Sequence, residues 1–170
     1  MLPETSLARG TVVQLNTSKG GVPKRPVLFA QVGLLGIEGD EHRYQYHGGP
    51  EQALLLLAAE VVDTLTAEGW WVFYGALGEN LTTRGLDYRR WRAGQQFLVG
   101  TVRLQLTKPR APCSALNPYG PGIQSRIYDP LVKARDPASP HWGESGFFAK
   151  VLEPGHISVN DIIEAVDPVV

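Results

Sequence analysis

Apolar and polar residues alternate through Val102-Arg103-Leu104-Gln105-Leu106, the period of two that a half-buried strand requires. The strand predicted over Val102 to Thr107 is preceded by another over Gln95 to Val99. Gly100-Thr101 between them is a connection of hairpin length. Val12 to Leu15 and Pro26 to Leu35 also read as strands, parted by the turn-rich Thr17-Ser18-Lys19-Gly20-Gly21. Ala53 to Leu57 is a continuous apolar run of strand length. The pattern then changes: Val61, Val62 and Leu65 fall at helical spacing across Glu60 to Glu68, and Gly69 is a plausible stop. Asp129 to Ala134 fits one or two helical turns. Phe147 to Leu152 and Ile162 to Val166 read as late strands joined through Pro154-Gly155.

Nineteen Gly and thirteen Pro among 170 residues break the chain into short pieces and disfavour a helical bundle. The expectation is a mainly β, barrel-like fold with one or two inserted helices, and a single domain over residues 1–170. A chain this long buries roughly two-thirds of its unfolded surface, enough to fold without staples. Its one cysteine forms no internal disulfide, and no signal-peptide core or bilayer-length apolar run is visible. These features point to a cytoplasmic chain with no membrane partner.

Sixteen basic and seventeen acidic residues leave a net charge of −1, which gives no overall reason to expect nucleic acid. The aromatic-basic run Tyr88-Arg89-Arg90-Trp91-Arg92 is a local exception of the kind nucleic-acid binders use. From Arg84 to Arg110 seven basic residues are opposed by Asp87 alone, whereas Glu51 to Asn80 holds five acidic residues and no Lys or Arg. Such blocks are either two solvated faces or, for the basic one, part of an anion site.

Three stretches carry candidate chemistry. In Lys108-Pro109-Arg110-Ala111-Pro112-Cys113 two prolines stiffen a cationic loop that ends on the cysteine. A thiolate there would bind a soft metal; the alternative is a small buried hydrophobe. Gly36-Ile37-Glu38-Gly39-Asp40 leads to His42, Arg43 and His47-Gly48-Gly49-Pro50. Glycine amides and Arg43 suit an anion, and His47 could move a proton near neutral pH, although a glycine-rich turn with a surface histidine is also common. In Gly78-Glu79-Asn80-Leu81-Thr82, Asn80 offers a donor and an acceptor to a heterocycle's edge, while Glu79 suits a basic neighbour. Zinc held by Cys113 with His42, His47 or His141 lacks a close ligand pair of familiar spacing.

In this order, and with Asn16-Thr17-Ser18-Lys19-Gly20-Gly21-Val22-Pro23-Lys24 ahead of them, these stretches resemble the MOSC domain, named after the C-terminal part of molybdenum cofactor sulfurases. The resemblance implies a β-barrel-like fold and a molybdenum-pterin cofactor, with Cys113 as metal ligand. Lys24, Arg43 and the turn of His47, Gly48 and Gly49 would line the pocket. Glu79, Asn80, Thr82 and Arg110 would contact the pterin or its phosphate. Stand-alone members similar to this chain are linked to reduction of N-hydroxylated bases, so the resemblance implies an oxidoreductase with a small-molecule substrate. The lone cysteine excludes a four-cysteine iron–sulfur cluster, so electrons would come from an external donor protein. The other reading is a sulfur carrier that uses a Cys113 persulfide and an external sulfur donor. Oligomeric state is left open. The chain departs from the family pattern at Glu51, where Asp is usual, at Val159-Asn160-Asp161, and in the aromatic run Trp70 to Tyr74. That run suits core packing, or one or two rings walling a planar substrate.

Overall fold

The structure, a computed structural model, describes residues 7–42 and 48–166. In chain order the strands are β1 (Arg9–Thr17), β2 (Arg25–Val27), β3 (Phe29–Gly33), β4 (Gly36–Ile37) and β5 (Leu54–Ala58), followed by helix α1 (Ala59–Ala67). Next come β6 (Leu81–Arg84), β7 (Gln96–Val99) and β8 (Val102–Pro109), then the short helices α2 (Ile123–Ile127) and α3 (Pro130–Lys133). The described residues close with β9 (Phe147–Glu153), β10 (Gly155–Ser158) and β11 (Ile162–Val166).

Seven strands close into a barrel in the order β1-β6-β5-β9-β8-β7-β11, and β11 returns to pair with β1. All neighbours are antiparallel except β5 and β6, which run parallel and need the α1 crossover between them. Strand β1 is long enough to pair with β11 at its start and with β2 at its end. A smaller sheet, β10-β3-β4, lies beside the barrel. The barrel needs no edge protection along its closed circuit, since every strand there has two partners.

The hydrophobic pattern explains much of this. Val102, Leu104 and Leu106 of β8 are buried while Arg103 and Gln105 between them are half-buried, as alternation requires. The unbroken apolar run of β5 has a different cause: the strand is covered on both faces. Leu54 and Leu56 pack inside the barrel with Phe97, Leu104 and Phe147. Leu57 faces a second core with Val61, Val62 and Leu65 of α1, together with Leu77, Leu116 and Ile123. Helix α1 therefore buries the stripe its 3.6-residue period exposes, and the chain leaves it at Gly69, whose φ of 100° suits glycine.

Several expectations change. The strand predicted over Pro26 to Leu35 breaks at Leu28, because β2 belongs to the barrel sheet and β3 to the small one. The Gly78–Thr82 motif runs into β6, whose Leu81, Thr82 and Thr83 are all buried, so no apolar alternation marks it. Strand β10 and helix α2 also lack a legible periodic signal. The aromatic run splits: Val72 is 7% exposed, whereas Trp71 is 79% and Phe73 46% exposed, so core packing fails for both rings. Among the described residues no helix is long and apolar enough to cross a membrane.

Leu56 is fully buried in the barrel, whereas Leu98 on β7 is 37% exposed. Leu56→Ala is expected to lower unfolding free energy by about 2–5 kcal/mol through the cavity it leaves. Leu98→Ala should change it by about 1 kcal/mol or less. Urea denaturation of both variants checks the pair.

Candidate functional site

A cleft of about 960 Å³ opens on the outside of the barrel. Its floor is a row across three strands: Leu55 pairs with Phe148, which also pairs with Lys108, and all three face the cleft. Its walls come from separate loops carrying Lys24, His42, Gly48, Gly78, Arg110 and Cys113. Segments from Gly21 to Phe148 thus converge on one hollow through the closure of the barrel.

Cys113 is exposed and lines this cleft; the alternative of a buried small hydrophobe does not hold. Its loop is pinned on both sides. Leu116, three residues later, is fully buried in the second core, and its amide donates to the Cys113 carbonyl at 3.1 Å. Arg110, three residues earlier, is 7% exposed. The Arg110 amide donates to the Gly146 carbonyl at 2.9 Å, Nε donates to the Ser145 carbonyl at 3.0 Å, and Nη2 donates to the Leu77 carbonyl. Arg110 is therefore first a strut between three loops. Arg110 also lines the cleft. Burial lowers the guanidinium pKa to about 10, against the pull of Glu79 and Cys113, so it stays cationic at neutral pH.

Asn80 is anchored rather than free. Its Oδ1 accepts from the Leu55 amide at 3.0 Å, while Nδ2 donates to the Asn16 carbonyl at 3.2 Å and to Asp40 Oδ2 at 2.9 Å. The expected role of reading a heterocycle's edge finds these groups already engaged. Lys24 lines the cleft with its ammonium 2.6 Å from Asp40 Oδ1, so its charge is neutralised in place. Asp40 also accepts from the Ser18 amide at 2.9 Å, which makes it the knot of this wall.

Glu79 and Thr82 lie beneath the wall, both fully buried and neither facing the cleft. Gln14 Nε2 donates to Asn16 Oδ1 at 2.6 Å, Asn16 Nδ2 to Thr82 Oγ1 at 3.1 Å, and Thr82 Oγ1 to Glu79 Oε2 at 3.0 Å. Oε1 forms no hydrogen bond among the described residues, although the Gly75 and Glu79 amides lie near the carboxyl. Burial raises the Glu79 pKa to about 6, although those amides, Thr82 and Arg110 pull it down. Gly75 is the residue that lets this turn form: its φ is 95°, and a Cβ would strike the Lys24 carbonyl.

Elsewhere in the lining Gly48 sits against the His42 imidazole with φ of 85°, and a Cβ there would collide with the ring. Gly49 is half-buried and is not part of the lining. Arg43 and His47 lie outside the described residues. Lys133 and Arg135, from α3 and the turn after it, complete the cationic lining with Lys108. Sequence reading missed both, since nothing local ties a lysine and an arginine near residue 134 to a cysteine loop. Trp71 and Phe73 do not wall the cleft. Among the described residues no three His, Cys, Asp or Glu side chains gather as a metal cluster, and His141 Nδ1 is 2.8 Å from Glu144 Oε1.

The Glu79 environment generates a pH test. Its folded pKa lies above the ordinary 4.5, so the folded state binds more protons than the unfolded one between pH 4.5 and about 6. Stability from this group is therefore greatest below pH 4.5 and falls as pH rises through about 6, by about 2 kcal/mol. Urea titrations across that range should show this slope in wild type and its absence in Glu79→Gln.

Comparison with known proteins agrees with the geometry. The MOSC domain model matches residues 43–164. Protein YiiM of Escherichia coli strain K12 is 29% identical over 140 residues, spanning 79% of this chain and 58% of YiiM. A protein named reductase from Gibberella moniliformis is 30% identical over 147 residues, spanning 84% of this chain and 24% of that protein. The chain therefore spans less than two-thirds of the length of these relatives. The crystal structure of YiiM from Escherichia coli superimposes with a TM-score of 0.68 at 26% identity, over 94% of this chain and 71% of that one. Barrel, loop order and family match converge: the chain belongs to the MOSC domain family.

Proposed function

We propose that the cleft holds a molybdenum-pterin cofactor with the Cys113 sulfur as protein ligand, and that the protein is an oxidoreductase acting on N-hydroxylated bases or related compounds. One observation carries the reading: the lone cysteine is exposed, faces a deep cleft and is pinned there by two buried neighbours. Family membership and the reductase name of the Gibberella moniliformis relative support the redox direction.

The residues present fit such a group. A hollow of about 960 Å³ accommodates an organic cofactor. Leu55, Leu77 and Phe148 offer an apolar wall to a planar ring. Lys133, which lines this cleft and not the neighbouring cavity, offers charge to a phosphate, and a thiolate is the soft donor a metal of this kind takes. When bound, the cofactor supplies the redox centre. The chain's own residues orient it and counter its charge, and Cys113 fixes the metal end. Arg110 holds the cysteine loop in register. The expected proton carrier, His47, precedes Gly48 in the sequence and lies outside the described residues. Electrons arrive from a donor protein outside these 170 residues.

Exposure of Cys113 also favours a second reading, a sulfur carrier, because a persulfide must be reached by a donor protein. The two part company by experiment. Purified from cells that make the cofactor, wild type should carry molybdenum and pterin. Cys113→Ser should lose most of both with an unchanged melting temperature. A folded wild type with neither, and no uptake on reconstitution, would refute the cofactor reading. Stable added sulfur on Cys113 after treatment with a cysteine desulfurase, seen by mass spectrometry in metal-free protein, would favour the carrier.

A further inference from the structure

A second cavity, of about 610 Å³, adjoins the cleft. Lys108, Pro109 and Arg135 line both hollows and form the sill between them. Arg92, Trp142 and Phe147 belong to the second cavity alone, and Glu51 also lies in its wall.

Three cations therefore face this annex, and none of them forms an ion pair among the described residues. Arg92 is held in advance. Its Nη1 donates to the Arg89 and Trp91 carbonyls at 2.9 Å each, and its guanidinium lies 5.5 Å from the Trp142 ring centre. Trp142 is itself fixed, its indole Nε1 donating to the Trp91 carbonyl at 2.8 Å. Nε and Nη2 of Arg92 are left without a protein acceptor among the described residues, an open pair of donors of the kind that matches an oxyanion. Arg135 keeps a φ of 63°, a left-handed conformation that a residue with a side chain rarely adopts, and still lines both hollows. Lys108 Nζ rests 5.9 Å from the Phe148 ring centre without an acidic partner. The single carboxylate, Glu51, is 69% exposed and lies 3.9 Å from Lys150 Nζ, so it does not cancel the three charges.

We infer that this annex is an oxyanion subsite for a phosphate-class group, joined to the Cys113 cleft over the Lys108–Arg135 sill. The group is either the far end of an elongated ligand seated in the cleft or part of a separate molecule. Arg92, held in advance by two carbonyls and the Trp142 ring, costs little to order on binding, which separates it from a free surface lysine. The subsite goes beyond the proposed redox function and does not depend on the metal.

Calorimetric titration of the full chain with inorganic pyrophosphate at constant ionic strength tests it. Wild type should bind, and Arg92→Gln and Arg135→Gln should each weaken binding roughly tenfold, the size expected for a charge-assisted bond. Arg135 has no side-chain partner among the described residues, so that variant should keep its fold even if Arg92→Gln melts early. Cys113→Ser should bind as cofactor-free wild type does, which separates failure of this subsite from failure of the cofactor reading. Pyrophosphate binding to cofactor-loaded and cofactor-free protein alike supports a separate molecule. Binding to cofactor-free protein alone supports the far end of the cleft ligand. No binding to wild type in either state, or wild-type affinity retained in both arginine variants, overturns the inference.

Discussion

The buried carboxylate of Asp40 is the contact on which the cleft depends. It receives the Lys24 ammonium, the Ser18 amide and the Asn80 side-chain amide, three groups from three different segments. Its side chain is 3% exposed and that of Lys24 10%, so water cannot substitute for any of them. Removing one partner of such a pair leaves an uncompensated charge, typically at about 3–5 kcal/mol. What the knot secures is geometric. It ties the turn after β1 to the start of β6, and Asn80 extends the tie to β5 through the Leu55 amide. The parallel β5–β6 pair and one wall of the cleft are therefore set by a single polar cluster.

The other wall is built on a different principle. The cysteine loop hangs between a buried cation, Arg110, and a buried leucine, Leu116, and the residues between them, Cys113 included, stay exposed or half-buried. Arg110 is tied to carbonyls of two other loops, so its desolvation is offset by hydrogen bonds rather than by a close carboxylate. Glu79 sits near enough to feel that charge yet is buried enough to be protonated more readily than an ordinary carboxyl. The proposed cofactor reading rests on a thiol held beside a buried cation, with no cluster of His, Cys, Asp or Glu ligands among the described residues.

Charge follows the same division. Of the basic block from Arg84 to Arg110, Arg84 and Arg103 pair with Asp63 and Glu153 on the surface. Arg92, Lys108 and Arg110 turn to the two hollows. The block is thus neither a uniform solvated face nor a uniform anion site. Barrel closure sorts its members one by one, sending some to acidic partners and others to the cavity walls.

Local pattern by itself determined the barrel strands with clear periodicity, the α1 stripe of Val61, Val62 and Leu65, the hairpin at Gly100-Thr101 and the short turn of α3. In each, burial on one face imposes a period that neighbouring residues must display. The motif residues were legible as a set, and Cys113, Arg110, Lys24, Gly48 and Asn80 do converge on one cleft. Their individual tasks were not. That Asn80 and Lys24 are spoken for by Asp40, that Glu79 and Thr82 lie under the wall, and that Lys133 and Arg135 join it are decided by contacts across tens of residues. Strand β6, with both faces covered, and Trp71, turned to solvent, were hidden for a related reason. A residue's partner across the barrel leaves no mark on its neighbours in the chain, so only closure of the sheet could assign it.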